Sequence, residues 1–153
     1  MEKFVLPPII YCTDKEANEE FYSGLYANIL ATTLGDNFNG VMISGLVSFV
    51  KGELKGLQAA GIFSCAGDDA KGIQISGLVS FVDGQTSGMQ MSGLCNYVKR
   101  NENILVQVGL VNIVKDYNSE GKVLQIGAYN SIGDQKIPGL NFRGFGKCFP
   151  ETL

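Results

Sequence analysis

The segment Gly72-Ile73-Gln74-Ile75-Ser76-Gly77-Leu78-Val79-Ser80-Phe81-Val82 is the clearest copy of a unit that recurs along this chain. Its central glycine returns every sixteen residues, and so does the glycine five residues before it. The central series is Gly45, Gly61, Gly77, Gly93 and Gly109, and the second series is Gly40, Gly56, Gly72 and Gly88. A fixed period of this kind predicts one small structural unit stacked on copies of itself.

Side-chain character alternates within the unit with a period of two, which is typical of β-strands. One set of alternating positions is apolar apart from Gly77, and the other mixes polar with apolar residues. The apolar set contains Ile73, Ile75, Val79 and Phe81, and the mixed set contains Gln74, Ser76, Leu78, Ser80 and Val82. The repeat region is therefore predicted to be mainly β.

Two columns of polar residues favour one β architecture over another. The columns, polar apart from Met42, read Ser48, Ser64, Ser80, Asn96, Asn112, Asn130 and, three residues before the central glycine, Met42, Gln58, Gln74, Gln90. Only parallel stacking brings all members of a column together, and identical amides then hydrogen-bond along the stack. We predict a parallel β-solenoid of 16-residue coils spaced ~4.8 Å apart. The alternative is an antiparallel up-and-down β meander or barrel, which hairpin signals such as Asp83-Gly84 favour.

The residues before the repeat have a different pattern. Thr13 and Glu16 match a helix capping box, and Ala17, Phe21 and Leu25 follow at nearly helical spacing. This pattern predicts an amphipathic helix over 14–33 that caps the solenoid. The predicted organisation of this single domain is an N-terminal extended segment and capping helix (1–38), the repeat β domain (39–142) and a C-terminal tail (143–153).

The composition excludes several kinds of site. The 153 residues carry a formal net charge of −3 and contain no histidine. Ser-His-Asp triads, Cys-His pairs and histidine-ligated metal sites are therefore excluded. Lys and Arg form no cluster, so nucleic acid is not expected as a partner. The four cysteines show no CxxC spacing, and Cys65 and Cys95 fall at apolar positions, where a thiol packs as a small hydrophobe.

No catalytic, cofactor-binding or metal-ligating residue is predicted, and the chain is not expected to be an enzyme. The pair Asp68-Asp69 is interpreted as a solvated turn, because no third carboxylate lies near it in the sequence to complete a cation site. Glu16, Glu19 and Glu20 are interpreted as helix cap and helix surface rather than as an acid–base pair.

The repeat units resemble those of bacterial surface-repeat proteins built from tandem Gly-Val-Gln-Leu-(Ser/Ala)-Gly-Leu-Phe-Asn-Val-Ala copies. The matching stretches are Gly56–Phe63, Gly72–Val82, Gly88–Val98 and Val106–Asn112, within residues 39–142. The resemblance implies a tandem-repeat fold without catalytic residues, and it implies a surface location.

The start of this chain is not typical of a signal peptide, because Pro7 and Pro8 break its short apolar run. No apolar run approaches the ~18 residues of a transmembrane helix, so the cytoplasm is the default expectation.

The second half of the repeat is apolar on both strand faces. A sheet with one face in the core is normally polar on the other, so we expect another body to cover this strip. The alternative is that the helix and the C-terminal segment 137–153 cover it. The predicted interaction surface consists of Leu46, Ile62, Leu78, Leu94, Leu110, Val50, Val82 and Val98.

These observations predict a non-enzymatic structural or protein-interaction module. It is expected to self-associate as a homo-oligomer, or to bind a partner protein, through its apolar repeat surface. Two alternatives remain open. One is a membrane-associated β-protein, since strands of about eleven residues approach the length that spans a bilayer. The other is a carbohydrate or small-ligand binder that uses the Asn and Gln columns.

Overall fold

The computed structural model describes residues 10–13, 22–35 and 37–144, which form a parallel β-solenoid of about seven turns. The predicted solenoid with coils of about 16 residues is confirmed, and the antiparallel meander or barrel is wrong. The strands are β1 (Ile10–Thr13), β2 (Tyr22–Asn28), β3 (Ala31–Leu34), β4 (Phe38–Ser44), β5 (Val47–Val50), β6 (Leu54–Ala60), β7 (Phe63–Ala66), β8 (Ala70–Ser76), β9 (Val79–Ser92), β10 (Cys95–Val108), β11 (Val111–Asp116), β12 (Lys122–Ile132) and β13 (Gln135–Arg143).

Each coil contributes one strand to each of two parallel ladders. The broad ladder runs β2-β4-β6-β8 and continues into the second half of β9. The narrow ladder runs β1-β3-β5-β7 and continues into the first half of β9. The long strands β9 and β10 pass through both ladders, so the hairpin predicted at Asp83-Gly84 is absent and β9 runs through that dipeptide.

The register between coils follows the repeat of the sequence. Gly56 pairs with Gly72 and Gln58 pairs with Gln74, so equivalent residues lie directly above one another. Identical side chains therefore form columns along the stack, as the parallel arrangement requires. The last strand, β13, breaks the pattern and pairs antiparallel with β12, which closes the C-terminal end.

The two glycine series lie in different parts of the coil. Gly77 lies in the bend between β8 and β9, where an added Cβ would collide with the carbonyl oxygen of Gly61 in the preceding coil. Gly72 lies within β8 at a φ of 140°, in a region that residues with a side chain rarely adopt. An added Cβ at Gly72 would also collide with the carbonyl oxygen of Gly56, so both series permit close stacking and the second one in addition permits an unusual backbone conformation inside the broad ladder.

The interior has an apolar part and a polar part. The apolar part is a cluster of buried side chains: Leu34, Phe38, Met42, Val50, Leu54, Ala66, Ala70, Val82, Val98, Leu105, Val114, Val123 and Ile132. The polar part consists of buried Gln, Asn, Ser and Thr side chains. The solenoid therefore uses hydrogen bonding as well as apolar packing to fill the space between its ladders.

The predicted capping helix over 14–33 is wrong where the structure describes it. Residues 22–28 and 31–34 form the strands β2 and β3, and residues 14–21 lie outside the described residues. β2 pairs in register with β4, with Gly24 opposite Gly40, so the sixteen-residue spacing already begins here. Pairing with the next coil satisfies the backbone of this segment and overrides its helical spacing of apolar residues.

Candidate functional site: the apolar outer surface

A ladder of glutamine side chains runs through the interior. Gln74 Nε2 donates to Gln58 Oε1 at 2.8 Å, and Gln90 Nε2 donates to Gln74 Oε1 at 2.9 Å. The series continues through Gln107 at 2.9 Å and Gln125 at 2.7 Å. All five side chains are buried. These amides are bonded to one another inside the solenoid, so they are structural in this fold.

A second polar column lies on the narrow ladder. Ser64 and Ser80 share a hydroxyl–hydroxyl bond of 3.1 Å. Asn96 Nδ2 donates to Asn112 Oδ1, and Asn112 Nδ2 donates to Asn130 Oδ1, both at 2.8 Å. These side chains are also buried. Because the Gln, Asn and Ser side chains of the two columns point inward, the residues that alternate with them point outward.

The broad face is the outer surface of the broad ladder, and it consists of two outward positions on each strand. Every one of these positions holds an apolar residue, and each residue is exposed or half-buried. The broad face comprises Leu25, Ala27, Val41, Ile43, Leu57, Ala59, Ile73, Ile75, Met89, Met91, Val106, Val108, Leu124, Ile126, Leu140 and Phe142.

The leucine ridge borders the broad face at the bend of each coil and consists of Leu46, Ile62, Leu78, Leu94 and Leu110. The exposed fraction of these side chains runs from 41% at Leu46 to 53% at Leu110. The backbone of the ridge is hydrogen-bonded between coils: the amide of Ile62 donates to the carbonyl of Leu46 at 2.9 Å, and the amide of Leu78 to that of Ile62 at 3.0 Å. These amides therefore do not require water as a partner.

The narrow face is the outer surface of the narrow ladder, and its side chains pack on one another. The rings of Phe81 and Tyr97 stack with their centroids 4.9 Å apart. Cys65 lies between Phe49 and Phe81 in the same column and is buried, while Cys95 is half-buried. Burial, with a smaller contribution from the charge of Asp83, raises the pKa of the Cys65 thiol to about 11. The expectation that these thiols pack as small hydrophobes agrees with this environment.

Charged residues collect at the turn on the other side of each coil from the ridge. Lys55 pairs with Glu53 at 3.1 Å, and Lys71 pairs with Glu102 at 3.3 Å. The turns are also linked to each other through side chains: Asp69 Oδ1 accepts the backbone N–H of Gln85 at 2.7 Å. The Asp68-Asp69 turn thus holds the next coil. Within the described ranges, no group of three or more His, Cys, Asp or Glu side chains is placed so that it could hold a metal ion.

The predicted interaction surface is divided by the structure. Leu46, Ile62, Leu78, Leu94 and Leu110 lie together on the ridge and are exposed. Val50, Val82 and Val98 are 0% exposed and belong to the core, so their placement on the same surface was wrong. The bend at each central glycine causes the difference. Strand alternation restarts at residues such as Val79, which leaves Leu78 pointing outward while Val82 points inward.

The broad face was not predicted from the sequence as an exposed surface. Ile43, Ile73, Ile75 and Met91 are all exposed, yet only the second half of the repeat was interpreted as a contact strip. The signal was present in the Gln and Ser columns. If those amides stack inside, the residues that alternate with them must point outward.

In the part of the chain that the structure describes, no helix is long and apolar enough to cross a membrane. The chain matches no protein-family model, no curated protein and no solved structure.

Proposed function

We propose that this chain is a non-enzymatic structural module that associates through its apolar repeat surface, first of all with a second copy of itself. One observation carries the proposal: the interior columns are amides and hydroxyls, whereas the broad face and the leucine ridge are apolar in every coil. Contiguous exposed apolar surface of several hundred Å² marks contact sites on proteins. The sixteen-residue repeat makes this surface and also makes the scaffold that carries it.

The parallel arrangement of the broad ladder gives the same proposal further support. In folds built from βαβ units, parallel sheets have both faces covered, because the crossover helices pack on them. The inner side of the broad ladder is covered by the core, while the outer side carries exposed Ile43, Ile73 and Ile75. A contact with another body supplies the missing layer.

Sedimentation velocity across ~1–100 μM tests this proposal on the full chain. We expect the mass to rise from one copy to two or more with concentration, because burial of apolar surface favours association. A single species with the mass of one chain over the whole range would overturn the proposal.

A second candidate is association with a membrane surface, and one observation favours it. The broad face and the ridge carry no charged side chain among the described residues, and the ridge amides are hydrogen-bonded between coils. Backbone groups that enter lipid must be satisfied within the protein. Flotation with neutral phosphatidylcholine vesicles tests this candidate, and a chain that stays at the bottom of the gradient excludes it.

A further inference from the structure

The broad face is the most accessible apolar part of the solenoid. Among the large outward side chains of the broad ladder, Ile43, Ile73, Ile75 and Ile126 are each at least 41% exposed. On the narrow face the aromatic side chains and Cys95 are half-buried, and Cys65 is buried. Covering the broad face therefore removes more apolar area from water than covering the narrow face, and this area sets the size of the hydrophobic contribution.

The broad face is continuous to the C-terminal end of the stack. Strand β13 pairs with β12 so that Leu140 lies beside Ile126 and Phe142 lies beside Leu124. Both β13 residues are exposed. The antiparallel strand thus adds one more apolar row where the repeats end.

The dimensions of this surface match a small but specific interface. Eight strands spaced ~4.8 Å apart give a length of about 34 Å, and five residue steps from the Val41 column to the ridge give a width of about 17 Å. The footprint is roughly 600 Å² per copy, or roughly 1,200 Å² for two copies, which is the lower limit of stable interfaces. A second copy therefore covers enough area when the whole face and the ridge are used.

The charges that border the face are compatible with a second copy. The adjoining column contains Lys55 and Lys71, and their ammonium groups pair with Glu53 at 3.1 Å and with Glu102 at 3.3 Å. Two copies placed face to face consequently bring together paired charges rather than isolated lysines. An apolar, uncharged surface is also complementary to itself, as a two-fold interface requires.

We propose that the broad face, with the leucine ridge, is the interface of a two-fold symmetric homodimer in which two broad ladders pack face to face. This inference rests on the proposed function and specifies which surface performs it. The two broad ladders lie about 10 Å apart in such a packing, with the two narrow ladders on the outsides of the four-layer assembly and each amide column inside its own solenoid.

A matched pair of substitutions tests the assignment. Ile75→Lys places a charge on the broad face, and Val47→Lys places one on the narrow face at a residue of similar exposure, 41% against 36%. Because the interface is two-fold, Ile75→Lys buries two unpaired charges, and we expect dimerisation at least 100-fold weaker. Val47→Lys is expected to change the dimer dissociation constant by less than about threefold. Far-UV circular dichroism and thermal unfolding verify that both variants are folded.

A native side chain gives a second readout that needs no substitution. Met91 on the broad face is 38% exposed, while Met42 in the core is 0% exposed and serves as the internal reference. Oxidation of Met91 by dilute peroxide, followed by peptide mass spectrometry, is expected to slow several-fold as the protein is concentrated through the dimer range. Met42 is expected to react slowly throughout.

The outcomes separate this inference from the proposed function. A dimer that survives Ile75→Lys but is lost with Val47→Lys overturns the broad face and leaves self-association standing. A dimer that survives both substitutions, with Met91 oxidation independent of concentration, does the same. A chain that is monomeric throughout overturns both proposals, and flotation of that monomer with phosphatidylcholine vesicles would identify lipid as the occupant of the face.

Discussion

At the scale of single residues, the buried amides decide both the register and the stability of the stack. Gln74 donates to Gln58 and accepts from Gln90, so its removal leaves one acceptor and one donor of its neighbours without their partner. Each unsatisfied buried group costs about 1–3 kcal/mol. We therefore expect Gln74→Leu to lower the free energy of unfolding by about 2–4 kcal/mol, measured by urea denaturation. Ile73→Leu, a change on the outer surface of the same strand, is the control and should cost less than about 1 kcal/mol.

If Gln74→Leu proves as stable as the unchanged protein, the ladder contributes no net stability. The column would then specify only the register between coils. Replacement of a whole buried polar network by apolar residues sometimes shows such a role. Gln74→Leu replaces only one member of the column, so its stability can stay unchanged only if water enters the gap beside the new side chain. Such water entry would be detected as hydrogen exchange of the glutamine side-chain amides in the column.

The thiol of Cys65 makes stability depend on pH in the alkaline range. Burial raises its pKa from the ordinary value of 9.0 to about 11, so between these values the unfolded chain releases the proton while the folded chain keeps it. Its contribution is fully present below about pH 9 and is lost as the pH rises toward 11. The expected loss is on the order of 1 kcal/mol, less than the full shift implies because water partly screens the site.

Urea denaturation between pH 8 and pH 11 measures this dependence. Because other groups also lose protons at alkaline pH, the comparison with Cys65→Ala isolates the thiol: the variant should lose less stability over this range than the unchanged protein. Equal slopes for the two proteins would contradict the assignment of the pKa to burial.

The residue pattern of the sequence was sufficient to predict the polar columns. It was not sufficient to predict the direction in which every side chain points. The in-register Gln and Asn columns predicted parallel stacking, and their hydrogen bonds are present. The inward or outward direction of side chains in the second half of the repeat was predicted wrongly, because the strand alternation was continued straight through Gly77. The bend there resets the alternation, and no local feature of Leu78 or Val82 distinguishes the two outcomes without the backbone.

At the scale of secondary-structure elements, β2 and β3 show how stacking overrides a local signal. Apolar residues at Phe21, Leu25 and Ile29 imitate a helix, yet 22–28 pairs along its whole length with β4. Short isolated helices are marginal in water, whereas a strand added to an existing ladder gains a hydrogen-bonded neighbour at once. The glycine at Gly24, sixteen residues before Gly40, was the evidence in the sequence for the strand.

Strand β13 protects the C-terminal edge of the solenoid. It pairs antiparallel with β12, and Pro138 lies within it and offers no N–H to a further strand. Arg143 fastens its end by donating to the carbonyl of Ile132 at 3.2 Å. Removal of β13 exposes unpaired strand groups of β12, which pair readily with other chains.

A chain that ends at Ile132 is therefore expected to form large species by end-to-end pairing. Light scattering at ~10 μM should show masses well beyond a dimer, with β-sheet circular dichroism retained. The control ends at Gly144 and keeps β13, so it should behave like the full chain. A shortened chain ending at Ile132 that stays uniform in size would show that the β12 edge needs no cover.

At the scale of the whole molecule, each coil contacts chiefly its two neighbours, so the fold is nearly additive along the stack. Deletion of residues 70–85 removes one complete coil and joins Asp69 to Thr86. Gly56 then meets Gly88 and Gln58 meets Gln90, which are the same residue types as in the original pairs. The columns close over the deletion without a change of register.

We expect this sixteen-residue deletion to fold, with the urea m-value reduced by about a seventh, because about one of seven turns is lost and m follows the area exposed on unfolding. The dimer should also weaken, since Ile73, Ile75 and Leu78 leave the proposed interface.

Deletion of residues 70–77 is the control: it removes half a coil and joins Asp69 to Leu78, so a ridge residue and the narrow strand enter the broad ladder. That chain should lose cooperative unfolding. If both deletions fold equally well, the sixteen-residue register does not specify this solenoid, and the continuity of the broad face is not a consequence of the repeat.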